Sequence, residues 1–177
     1  MTMAALGLAP GALRLCDHND EWARLFRQEK ARLSHLPNGA VLHHIGSTSV
    51  PGLPAKPILD LMVVASIDLH SAIANALIGS GYLDRGHRGG RGGHVLIRMH
   101  DGLRTHALHL YGNGDPEVAE HLDFRDALRT VPILRNRYAE RKRRLVAEGV
   151  ARSDYADRKT DTIRSVLEAW RGVAPEW

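Results

Sequence analysis

Apolar residues along the chain fall first into a helical period and then into a strand-like one. Trp22, Leu25, Phe26 and Leu33 recur at steps of three, four and seven, which puts them on one face of a helix. Asp17 to Asp20 supply N-terminal capping residues ahead of that face, and Pro37 to Gly39 predict its stop. Residues 40–45 and 58–64 are short β-type runs, and the segment between them is dense in Gly, Ser and Pro, so two strands bracketing a loop are expected. Residues 66–79 predict a second helix. Residues 95–99 and 105–111 flank Asp101-Gly102, a strong hairpin signal.

From Pro116 to Trp170 the pattern is helical in three segments. Val118, Leu122, Ala127 and Leu128 mark the first, and Val131, Leu134, Tyr138, Leu145 and Val146 the second. Tyr155, Ile163, Val166, Leu167 and Trp170 mark the third. Strands therefore come first and helices afterwards, which predicts an α+β fold: a small mixed β-sheet with helices on one face and a C-terminal helical lobe. Residues 1–17 are expected to be a flexible terminus and 18–172 a single domain, with an α/β part over 18–114 and the lobe over 115–172.

Composition bounds the chemistry. At 177 residues, 44% hydrophobic and 25% charged, the chain has enough apolar surface for a core and is not a disordered polymer. The single cysteine, Cys16, has no partner for a disulfide or thiolate cage within the chain, so a reducing, cytoplasmic setting is expected. The greasiest run contains Asp60, so no membrane span is expected. The net charge of +4 admits anionic partners. The basic residues are dispersed and no aromatic-interleaved stripe occurs, which favours a phosphorylated small molecule over nucleic acid. The Arg- and Gly-rich segment 85–93 reads either as a flexible hairpin connector or as a mobile flap over a phosphate.

The most informative stretch runs from His43 to Asp60. A strand ending in Gly46-Ser47-Thr48-Ser49 exposes backbone N–H groups and three hydroxyls in one turn, suited to phosphate oxygens. The alternative is a tight turn whose hydroxyls bond their own backbone. The next strand carries Asp60, positioned to hold a divalent metal if the strands are neighbours. His44 and His109 could complete a His-Asp-His cluster with Asp60, in which case zinc or iron would suit better than magnesium. Structural histidines are the alternative.

The run His44-Ile45-Gly46-Ser47-Thr48-Ser49-Val50-Pro51-Gly52-Leu53-Pro54-Ala55-Lys56-Pro57-Ile58-Leu59-Asp60 resembles the hallmark of the GrpB family. Trp22 with Phe26, Gly81-Tyr82, His106 and His109, Phe124-Arg125-Asp126, Tyr138 with Lys142, and Tyr155 with Lys159 follow in the family's order. Gly-Ser followed by a strand-borne Asp also resembles the nucleotidyltransferase superfamily, with its polymerase-β-like fold. That resemblance implies a metal-dependent transferase moving a nucleoside monophosphate from a nucleoside triphosphate to a small acceptor, with magnesium or manganese as cofactor. Asp60 and Ser47 would be catalytic. Gly46, Ser47, Thr48, Ser49, Lys56, Arg125, Lys142 and Lys159 would bind substrate, and Asp60 the metal, which His44 and His109 would share only if the His-Asp-His cluster forms. The chain departs from the superfamily at Met62, where a second acid is usual two residues after the first. A non-catalytic nucleotide- or anion-binding module, or a His/Asp metal enzyme of other chemistry, are the competing expectations.

Lysine is scarce. Only Lys30, Lys56, Lys142 and Lys159 occur among 24 basic residues, and Tyr138/Lys142 and Tyr155/Lys159 have the four-residue spacing of a shared helix face. A lysine stem over a tyrosine ring with its ammonium in water is the bland alternative to phosphate binding. Arg125, Asp126 and Arg129 read equally as an ion-pair network.

Overall fold

The computed structural model describes residues 6–87 and 93–172. Five strands form one mixed sheet: β1 (Val41–Ile45), β2 (Leu59–Ala65), β3 (Tyr82–His87), β4 (His94–His100) and β5 (Leu103–Gly112). Their spatial order is β1-β2-β5-β4-β3, with β2 and β5 parallel and every other pair antiparallel. The predicted hairpin closes at Asp101 and Gly102, both with positive φ (48° and 74°), the twist a two-residue turn needs. β3 was not foreseen as a strand. It lies at the sheet edge, and beyond Tyr82 all its side chains are exposed, so it carries no buried alternation.

Two helices cover one face. α1 (Glu21–Arg32) and α2 (His70–Gly79) pack Trp22, Ile73 and Leu77 onto Leu59, Leu61, Val63, Leu96, Leu108 and Leu110. Full burial of side chains of this size contributes about 1.5–3 kcal/mol each before entropy is counted. α1 ends five residues before Pro37, and α2 begins at His70 after a single tight turn over Ile67–Leu69. The lobe consists of α3 (Pro116–Thr130), α4 (Pro132–Ala147) and α5 (Thr160–Trp170). Asp115 caps α3 through the amide of Glu117, and Pro116 occupies the first helical position. Val118 and Leu122 of α3 pack against Ile45, Met62 and Tyr111 on the second face of the sheet, so the lobe shares that face instead of standing clear of it.

The expected flexible terminus is tied down where it is described. Gly7 N–H donates to Pro57 O (2.8 Å), Leu8 pairs with Arg104, and Cys16 pairs with Ala55. Arg152 of the lobe donates to Ala12 O at 2.8 Å. These backbone bonds bracket the loop that carries Lys56, a long-range pairing that the sparse apolar pattern of residues 6–16 does not announce. In the 85–93 segment, residues 88–92 lie outside the described residues; Arg85, Gly86 and His87 end β3, and Gly93 precedes β4. No helix among the described residues is long and apolar enough to cross a membrane.

Candidate functional site

The site forms where β1 ends. Gly46 leaves the strand with φ 65° and ψ −171°, and Ser47–Ser49 follow as one tight helical turn. Strand pairing sets Asp60 directly opposite Ile45. A Cβ at residue 46 would lie 2.5 Å from Asp60 Oδ2 and 2.8 Å from Asp60 Cβ, so the bend closes over the carboxylate only because residue 46 is glycine. Val50 and Leu53, just beyond the bend, insert among Ala127, Leu128, Leu134 and Tyr138 of the lobe. That packing fastens the bend to the helices opposite it.

The hydroxyls of the bend divide. Ser47 Oγ accepts a hydrogen bond from Lys142 Nζ at 2.9 Å. Thr48 Oγ1 is bonded to His44 Nε2 at 3.0 Å, and Ser49 Oγ donates to Gly46 O at 2.6 Å, so both are engaged inside the turn. Ser49 O accepts two bonds from the Arg129 guanidinium, at 2.9 and 2.7 Å. Arg125, expected to meet substrate, instead grips Asp126 (2.7 Å) and donates to His44 O (3.3 Å); it clamps α3 to the end of β1. The ion-pair reading of Arg125, Asp126 and Arg129 therefore describes their contacts here.

Three of the four lysines converge above Asp60. Lys142, 2% exposed, donates to Pro54 O as well as to Ser47, and its ammonium lies 5.3 Å from the Tyr138 ring centre. Lys159 lies 4.5 Å from the Tyr155 ring centre and donates to Tyr138 Oη at 3.4 Å. Lys56 reaches the same Tyr155 ring at 5.3 Å. The Tyr155 hydroxyl is buried without a hydrogen-bond partner. Burial lowers all three lysine pKa values. It brings Lys56 to about 8, helped by repulsion from Lys159, Arg152 and Arg104 and opposed by Asp60. Lys159 also falls to about 8 through burial, again opposed by Asp60, and Lys142 falls well below the usual range through burial and repulsion by Lys159. Among the described residues no carboxylate oxygen lies within 4 Å of these ammonium groups. Burying cations without such partners is costly, and an incoming anion would relieve it.

The proposed His44-Asp60-His109 cluster does not form. Side chains alternate along β1, and because Ile45 sits opposite Asp60, His44 projects to the other face of the sheet. There it stacks on Phe26 (4.7 Å between ring centres), and burial holds its pKa at about 3. His109 does share the Asp60 face, being paired with Met62, and lies beside His121 of α3 with ring centres 6.1 Å apart. His121 bonds the Tyr111 hydroxyl at 3.2 Å. No group of three or more His, Cys, Asp or Glu side chains among the described residues is gathered to hold a metal ion. The residues present do not fit a preformed metal centre: Asp60 has no second carboxylate beside it, and Met62, fully buried, fills the place of one.

The sequence did not single out His121, Arg152 or the Pro54 carbonyl. None carries a local signal, since each enters through the docking of the lobe. The Tyr-x-x-x-Lys spacings were the usable clue to the tyrosine platform, although Lys142 proves to be buried and Lys159, half-buried, donates to Tyr138 Oη.

A five-stranded mixed sheet with a helical lobe closing over a glycine bend, one aspartate and three lysines, Lys142 buried and the others half-buried, is thus the class of protein that the fold and site define. The family model described as GrpB protein matches residues 12–169, and the chain belongs to that family. It is 38% identical over 155 residues to a UPF0157 protein of Streptomyces coelicolor, covering 86% of this chain and 81% of that one. It is also 38% identical over 134 residues to a UPF0157 protein of Bacillus subtilis, covering 74% of this chain but 39% of that longer protein. Among solved structures, the conserved protein GrpB from Enterococcus faecalis superposes with a TM-score of 0.77 at 28% identity, covering 89% of this chain and 96% of that one.

Proposed function

We propose that this chain binds a nucleoside triphosphate, or another phosphorylated small molecule, with its phosphates beside the Gly46-Ser47 bend that Lys142 holds and against the ammonium groups of Lys56 and Lys159. The observation that carries this reading is the convergence of buried Lys142 and half-buried Lys56 and Lys159 on two tyrosine rings, without a carboxylate within 4 Å among the described residues. Lysine is a point-charge phosphate binder, and fixed ammonium groups stabilise charge that builds on a leaving pyrophosphate without reorganising. In the transfer reading, an acceptor attacks the α-phosphorus in line. Lys56 and Lys159 then neutralise the departing pyrophosphate, Lys142 holds the bend, and Asp60 accepts a hydrogen bond from the incoming hydroxyl. The resemblance of the Gly46-Ser47 and Asp60 motif to the nucleotidyltransferase signature and the seat of Asp60 against Gly46 support this reaction class.

A second reading is favoured by one specific observation, the apolar Met62 where a second acid would stand: the site holds its anion without turning it over. Calorimetry with ATP and with Lys159→Met separates the possibilities. Weakening by tenfold or more in the variant, at unchanged folding, is the expected result, and unaltered affinity refutes the site. Pyrophosphate release from the bound nucleotide in the presence of candidate acceptors supports transfer; binding without release supports the module.

A further inference from the structure

The charge around Asp60 is the reverse of what a cation-centred phosphate site needs. On β2 the next side chain on the same face is the fully buried Met62, packed with Ile45 and Tyr111, and Ala107 stands opposite Asp60 on β5. The nearest imidazoles, His109 and His121, are not gathered with Asp60 into a set able to hold a metal. Against this one carboxylate stand Lys56, Lys142 and Lys159. Arg152 lies near enough to Lys56 to repel its charge, while its own guanidinium is tied to the Ala12 carbonyl. Four basic side chains therefore gather around Asp60 and Lys56, against one carboxylate.

Building on the reading of this cluster as a phosphate site, we propose that it takes its polyphosphate as the metal-free anion, with the lysine ammonium groups in the place a divalent ion would fill. A chelated magnesium ion cancels part of the ligand charge that the lysines would meet, and it repels them at short range in a site of low dielectric. Magnesium also parts with its waters reluctantly, and beside the bend one carboxylate, that of Asp60, is offered in their place. Asp60, in this account, contacts no metal ion; it is the one negative charge beside the lysines and opposes the incoming anion.

The test is calorimetric titration of the full chain with ATP and with inorganic tripolyphosphate, at constant ionic strength, once in EDTA and once in excess magnesium. Affinity in EDTA equal to or tighter than that in magnesium is expected, on the order of tenfold tighter for tripolyphosphate. Tighter binding in magnesium overturns the proposal while leaving the phosphate site intact. No binding in either buffer overturns both. Asp60→Asn, which preserves the shape against Gly46, gives a second readout: in EDTA the variant binds severalfold more tightly if the site is purely cationic. A loss of affinity in the variant refutes that account.

Discussion

Replacing Gly46 by alanine tests the geometry on which the site rests. The backbone there has φ 65° and ψ −171°, a region open essentially to glycine, and holding an L-residue in it costs of order 1–3 kcal/mol. The new methyl would also approach Asp60 Cβ to 2.8 Å and Oδ2 to 2.5 Å. Turning the carboxylate relieves only the second clash, because Cβ is fixed by the β2 backbone, so β1 and β2 must part locally. Together these effects should destabilise the protein by about 3 kcal/mol, which at this chain length lowers the melting temperature by about 6–12 °C. Gly52→Ala is the control. Gly52 also has positive φ (76°), but nothing lies within 4 Å of its Cβ position, so strain alone should cost about 1–2 kcal/mol. Urea unfolding followed by circular dichroism measures both. If Gly46→Ala loses no more stability than Gly52→Ala, the close approach of the bend to Asp60 is wrong.

Glu29, 4% exposed on the opposite face, accepts bonds from Tyr82 Oη (2.7 Å), Arg98 Nη1 (2.8 Å) and the Arg32 guanidinium. Glu29→Gln should cost about 3 kcal/mol by leaving the arginines unpaired, and a loss under 1 kcal/mol in urea titration would refute a structural role for the network. Burial holds His44 at about 3 and His106 at about 4, with flanking arginines adding to both shifts. The unfolded chain protonates these histidines first, near pH 6.5, so stability is full above that pH. It should fall by about 2 kcal/mol per histidine between pH 7 and 5, and a flat unfolding profile over that range would contradict the burial. Lys56 and Lys159, both near 8, lose charge as pH rises through that value, so tripolyphosphate binding should weaken severalfold from pH 7 to 9. Affinity independent of pH across that range would remove them from the site.

Local pattern was enough for the α+β class, the first helix face, both strands around the bend and the hairpin at Asp101-Gly102, and the family came from the resemblance of the His44–Asp60 run to its hallmark. Each of these is written in contiguous residues: an apolar period, a capping cluster, a pair of turn residues, or a long uninterrupted motif. The same stretch offered Gly46, Ser47 and Lys56 as anion-binding candidates and Asp60 as a metal ligand, while Lys142 and Lys159 came from the Tyr-x-x-x-Lys segments and the resemblance. Strand β3 escaped because its edge position leaves no buried alternation to read. The grouping of candidates was beyond the reach of spacing alone. Register between β1 and β2 decided that Ile45, and not His44, shares the face of Asp60, because a shift of one residue reverses every side chain in a strand. Docking of the lobe decided that Arg125 clamps the end of β1 and that Lys142 meets Ser47 across 95 positions of sequence. Residue type is a local property, whereas burial, charge balance and which groups face one another are set by contacts between distant segments, and these belong to the folded chain.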